Sequence, residues 1–167
     1  VAMGVFGFSE IMNNVQQKEE REVFLDKISH LYPDWDDIKA ATGPVLRGTA
    51  IGSALGILPG GGAVMASFAS YTIEKKIAKH PELFGTGAIQ GVAGPESANN
   101  AASQTSFIPL LTLGIPGNAV MALMVGAMTI HNIQPGPQVM TANPELFWGL
   151  IASMWIGNLM LVILNLP

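Results

Sequence analysis

The chain has 167 residues, 49% of them hydrophobic and 12% charged, against about 25% charged in soluble proteins, which favours a membrane class. With 8 Lys and Arg against 12 Asp and Glu, the formal net charge is −4, removing any global electrostatic case for nucleic-acid binding. The absence of cysteine excludes disulfides, thiolate nucleophiles and Cys-held metals, and the scattered His30, His80 and His131 give no zinc pattern.

Residues 1–12 form an apolar run too short to cross a bilayer and lacking the charged start of a signal peptide, so they are expected to be the end of a membrane helix. Residues 13–47 carry five basic and seven acidic residues with two prolines, the composition of a water-facing connection. Within it, Val23, Phe24, Ile28 and Leu31 are spaced for a short amphipathic helix over Glu19–Leu31.

Residues 48–73 contain no charge but are cut by Pro59, Gly60, Gly61 and Gly62, where a continuous helix is strongly penalised. Two half-helices are expected. Arg47 precedes the segment and Lys75, Lys76 and Lys79 follow it, so the rule that basic residues mark the cytoplasmic side puts both ends on one side. The segment then reads as a re-entrant hairpin with its tip at Pro59–Gly62; a kinked single span is the alternative.

The region 83–134 enters through PESANNA (Pro95–Ala101) a stretch from Ser97 to Pro144 with no Asp, Glu, Lys or Arg. Glu96 at its border has three open roles: coupling-ion ligand or proton carrier, helix-start charge favoured by Pro95, or a residue at the water interface. Asn99 and Asn100 both donate and accept, which suits a carboxylate, a sodium ion or broken backbone. From Asn100 to Asn132 the earlier pattern returns: an apolar arm to Leu113, a break at Gly114–Asn118, and a second arm over Ala119–Ile130. LPGGGAVMA (Leu58–Ala66) and IPGNAVMA (Ile115–Ala122) align with one gap, and paired Gly/Pro interruptions of this kind point to transporter binding sites. His131 and the QPGP that follows (Gln134–Pro137) read as a helix end and turn. Residues 146–166 are free of charge over a length of roughly 31 Å at 1.5 Å per residue, one full crossing.

The expected fold is therefore all-α: a polytopic membrane protein with discontinuous helices or re-entrant hairpins broken at Pro-Gly motifs. Helix N-termini near Gly61, Gly62, Gly117 and Asn118 would offer unpaired N–H groups to a carboxylate, unless these glycines only permit tight packing. The expected substrate set is Gly60, Gly61, Gly62, Ser97, Asn99, Asn100, Gly114, Pro116, Gly117 and Asn118, with Glu96, Asn99 and Thr112 as ion-coupling candidates and no metal beyond Na⁺. No phosphate loop, dinucleotide fingerprint or catalytic triad can be assembled, so no enzyme and no organic cofactor are expected.

The chain resembles the large membrane subunit of the tripartite tricarboxylate transporters. The likeness rests on GILPGGGA (Gly56–Ala63), SYTIEK (Ser70–Lys75), FGTGAIQGV (Phe84–Val92), PESANNA, IPLLTLGIPG (Ile108–Gly117) and QPGP, in that order across essentially the whole chain. Gln90 stands where that family commonly has an acidic residue, and Asn118 where a small Ser is common. The resemblance implies a fragment matching the second of two related halves of a multi-pass permease in the bacterial inner membrane. It implies uptake of di- or tricarboxylates driven by a Na⁺ or H⁺ gradient, with a periplasmic solute-binding protein and a small integral membrane subunit as partners. A non-transporting scaffold subunit and a soluble apolar enzyme domain are the competing functions.

Overall fold

In the computed structural model Asp34 opens a long helix by accepting from the N–H of Asp37 at 2.8 Å, while the Asp37 carboxylate accepts from the N–H of Asp34 at 3.2 Å. This reciprocal cap and the acidic first turn satisfy donors that a helix start leaves unpaired, so α1 runs Trp35–Ile57. The structure describes Met12 and residues 32–165; the helix end expected over 1–12, apart from Met12, and the amphipathic helix at 19–31 lie outside the described residues. Tyr32 onward forms a compact unit of its own.

α1 passes without interruption through Gly48, where composition changes, and so begins at Trp35 within the segment expected to be a polar connection. It stops where Leu58 turns extended ahead of Pro59, as the residue before a proline tends to do. Gly60 then takes φ +84, and α2 (Gly62–Ile77) returns along α1. A 3-10 turn, Pro81–Leu83, leads to α3 (Gln90–Thr105). Pro109 cannot donate to the carbonyl of Thr105, and the ladder divides at Ser106 into α3 and a short α4, Phe107–Leu113. Gly114 caps α4 in the left-handed region at φ +72, donating to Leu110 at 3.0 Å. α5 (Ala119–Ile130), α6 (Val139–Ala142) and α7 (Pro144–Asn165) complete an all-helical set; among the described residues there is no strand.

Small residues decide how the first three helices meet. Gly48, Gly52 and Gly56 recur every four residues on one face of α1. They face Gly94, Ala98 and Ala102 of α3 in a constant, parallel register, so close that a Cβ on Gly52 would strike the backbone of Ala98. α2 supplies Ala66, Ser70 and Glu74 to the same junction. Backbone approach of this kind is how helices pack when apolar burial gives little driving force between them.

Phe84 plugs the connection between α2 and α3, edge-on to Tyr71 with ring centres 5.5 Å apart. A second apolar cluster of Leu111, Met128 and Val139 joins α4, α5 and α6, with Phe147 and Leu150 of α7 against it. Among the described residues α7 is the helix long and apolar enough to cross a membrane, with a mean hydropathy of 1.9.

Candidate functional site

The two Pro-Gly breaks meet. The N–H of Gly60 donates to the carbonyl of Gly117 at 2.9 Å, so corresponding glycines of LPGGGAVMA and IPGNAVMA are in contact. Gly117 is buried there, whereas Pro116 is exposed. Around the contact lies a cavity of about 480 Å³ lined by Gly60, Gly61 and Gly62, the first residues of α2 and α5, Asn118, Ser103 of α3, and Ser106 at the α3–α4 junction. That size suits a small organic ligand.

Both helices present N-termini to this space. Gly61 has no side chain to cap α2, whose first-turn N–H groups therefore lack a side-chain acceptor. Asn118 does cap α5, its Oδ1 accepting from the N–H of Met121 at 3.0 Å. Each N-terminus attracts an anion by about 0.3–1 kcal/mol when exposed and up to about 2 kcal/mol when partly buried. Ser106 is 1% exposed and donates to the carbonyl of Ser103 at 2.7 Å, leaving its lone pairs toward neighbours. The Ser103 hydroxyl is exposed and has no protein partner among the described residues. Among the described residues no Lys or Arg lines the cavity, so a negative charge placed here would be met by dipoles and neutral donors.

Not every expected residue comes here. Ser97 donates to the carbonyls of Gly94 at 2.8 Å and Val45 at 3.1 Å, inside the α1–α3 junction. Asn99 lines a neighbouring cavity of about 430 Å³ with Ser67, Tyr71 and Pro95. Asn100 donates to both the carbonyl and the carboxylate of Glu96, at 2.9 and 3.1 Å. Gly114 packs on the Gln134–Pro137 turn, where an added Cβ would lie 2.8 Å from the carbonyl of Pro135. Thr112 returns its hydroxyl to Ile108 at 2.6 Å and lines a separate apolar crevice beside α7.

Glu96 needs a correction on one of its three roles. It does not sit in the first turn of a helix, because α3 starts at Gln90 and carries Pro95 inside it. The helix tolerates that proline at the loss of one donor to the carbonyl of Gly91. Glu96 is exposed and belongs to the turn of α3 level with Gly48, well removed from the tips.

Ser103 and Ser106 were missed in the sequence. The available signal was their spacing from Asn99, which places all three on one face of α3.

The middle of α1 and the last turn of α2 hold the other polar feature. Arg47 donates through Nε and a terminal guanidinium nitrogen to both oxygens of Glu74, each at 2.7 Å. Glu74 is 2% exposed and Arg47 45%. Beyond them, His80 contacts Glu82 at 3.0 Å; the Glu82 carboxylate is held below its ordinary range by its own backbone N–H and then by His80.

The profile of the tripartite tricarboxylate transporter TctA family matches residues 1–167. The chain is 64% identical over its full length to the uncharacterized 52.8 kDa protein in the TAR-I ttuC' 3' region of Agrobacterium vitis, covering 33% of that protein. It is 72% identical over 116 residues to the uncharacterized protein in the TAR-II ttuC' 3' region of the same organism, covering 70% of this chain and 48% of that one. The chain thus spans between a third and a half of the length of these relatives. No solved structure matches it. On the profile match along its whole length, the chain belongs to the tripartite tricarboxylate transporter TctA family, a family of membrane transport proteins.

Proposed function

We propose that this chain is the substrate-holding part of a multi-pass permease that takes up di- or tricarboxylates across the bacterial inner membrane by secondary active transport. A periplasmic solute-binding protein delivers the carboxylate and a small integral membrane subunit completes the system. The single observation that carries the site is the Gly60–Gly117 hydrogen bond, which brings two helix N-termini into one cavity. Broken helices that aim N-termini at an anionic group near the bilayer midplane are a recurring transporter solution. The substrate contacts are then Gly60, Gly61, Gly62 and Asn118, joined by Ser103, while Gly117 holds the two tips together.

The lengths agree with a hairpin entering from one side. From Arg47 to the end of α1 at Ile57 is about 15 Å at 1.5 Å per residue, half of a hydrocarbon core about 30 Å thick. Tips at mid-membrane therefore put the Arg47–Glu74 pair at headgroup level, with Asp36, Asp37 and Lys39 beyond it in water. Glu96, level with the same turn of α1, then sits toward the interface and not at the substrate. α7 makes the full crossing.

The experiment is reconstitution of the full-length protein with its two partners in liposomes under an imposed Na⁺ or H⁺ gradient. Accumulation of labelled succinate, malate or citrate supports the reading; a scaffold subunit gives none under either gradient. Release of the full-length protein from membranes by a carbonate wash would instead indicate a soluble domain.

A further inference from the structure

A further cavity, of about 400 Å³, opens beside the Arg47–Glu74 pair, at the middle of α1 and the C-terminal end of α2. Its polar lining is Arg47, Glu74, Lys79, His80 and Gln90, and Ile77 and Leu83 are among its apolar members. The charges around it do not cancel. Glu74 engages Arg47 through Nε and one terminal nitrogen, leaving the other without a carboxylate, and Glu82, which contacts His80 at 3.0 Å, is not part of the lining. Lys79 has no ion-pair partner among the described residues. Lys75 and Lys76 lie exposed in the last turn of α2, so four of the five described Lys and Arg residues gather at this end, and none follows Leu83.

We infer that this cavity binds the phosphate of an anionic phospholipid. The step rests on the reading that the α1–α2 hairpin enters the bilayer from this end, which sets the cavity at the depth of the headgroups. A phosphodiester there accepts from the Lys79 ammonium, the free guanidinium nitrogen of Arg47 and the Gln90 amide, none of which needs to leave an existing partner. Ile77 and Leu83, both at least half exposed, lie beside these donors and suit the first carbons of an acyl chain. This pairing of cationic donors with an apolar margin matches an amphipathic lipid better than free phosphate, which has no apolar part. Basic pockets between helices on the cytoplasmic side recognise anionic lipids on the same physical grounds.

The test is native mass spectrometry of the full-length protein in detergent, offered phosphatidylglycerol or phosphatidylcholine of matched chains. Wild type should retain phosphatidylglycerol in clear excess, and Lys79→Gln should reduce that excess by about fivefold, the weight of one basic residue near an anionic surface. Lys79→Arg should restore it, and Lys39→Gln, outside the cavity, should leave it intact. Equal retention of the two lipids, or equal losses in Lys79→Gln and Lys39→Gln, overturns the lipid site. Displacement of phosphatidylglycerol by millimolar inorganic phosphate overturns it in favour of a free-anion site. Absence of a lipid preference with carboxylate uptake intact refutes this inference alone, whereas a protein that accumulates no carboxylate refutes the transport reading.

Discussion

Gly60 donates its backbone N–H to the carbonyl of Gly117 across 2.9 Å, which ties together the equivalent glycines of two related motifs. The two glycines are not equally replaceable. Gly60 holds φ +84, whereas Gly117 is not in the left-handed region, and an added Cβ at either meets nothing within 4 Å. Gly60→Ala should therefore lower the stability of the full-length protein by about 1–2 kcal/mol, the cost of a left-handed residue, and reduce uptake. Gly117→Ala should be nearly silent in both. Thermal unfolding in detergent, alongside uptake, separates them.

Helix contact between α1 and α3 gives a sharper case. An alanine methyl at Gly52 would run into the backbone of Ala98, and backbone cannot rotate away. Gly52→Ala should cost about 1–3 kcal/mol through overpacking and lower the yield of folded protein. At Gly149 of α7 an added Cβ meets nothing, so Gly149→Ala should leave the unfolding midpoint unchanged or raise it slightly.

Removing either half of the Arg47–Glu74 pair should have unequal effects. Arg47→Ala leaves a carboxylate that is 2% exposed without its partner, a change of about 3 kcal/mol or more where a buried charge is stranded. Glu74→Gln leaves Arg47, almost half in water, to be solvated, and should cost about 1 kcal/mol. Chemical or thermal denaturation of the two variants measures the difference, and equal losses would mean that burial of Glu74 does not govern the pair.

Much of this anatomy was legible in the sequence because proline and glycine act locally. Pro59 and Gly60 end α1 wherever the chain is placed, and the Gly114 cap and the turn after His131 appear where their residues called for them. The all-helical class followed from long uncharged apolar runs broken at Pro-Gly motifs. Other features depended on partners distant along the chain. Nothing beside Glu74 announces that it is buried, since Arg47 reaches it from the other arm. PESANNA drew attention as an unusual string, yet Ser97 serves the α1–α3 junction and Asn100 serves Glu96, while Ser103 further along the helix reaches the tips. Charge content placed a boundary near Gly48, but a helix capped at Asp34 continues through it, because hydrogen bonding along the backbone does not stop where hydropathy changes.

Asn118 offers a narrow check on the start of α5. Asn118→Ala removes the acceptor for the N–H of Met121 and should destabilise by about 1 kcal/mol. Asn118→Ser keeps a capping oxygen and should recover most of that loss in the same unfolding assay.

Occupancy by a carboxylate of the cavity where the two breaks meet can be measured directly. Because this chain has no cysteine, Ser103→Cys, in a full-length protein made cysteine-free elsewhere, can be followed by its labelling rate with a water-soluble thiol reagent. Thr112→Cys, on the separate crevice beside α7, serves as the reference. Saturating transported dicarboxylate should slow labelling at position 103 several-fold and leave position 112 unchanged. Unaltered labelling at position 103, or equal protection at both positions, would contradict the assignment.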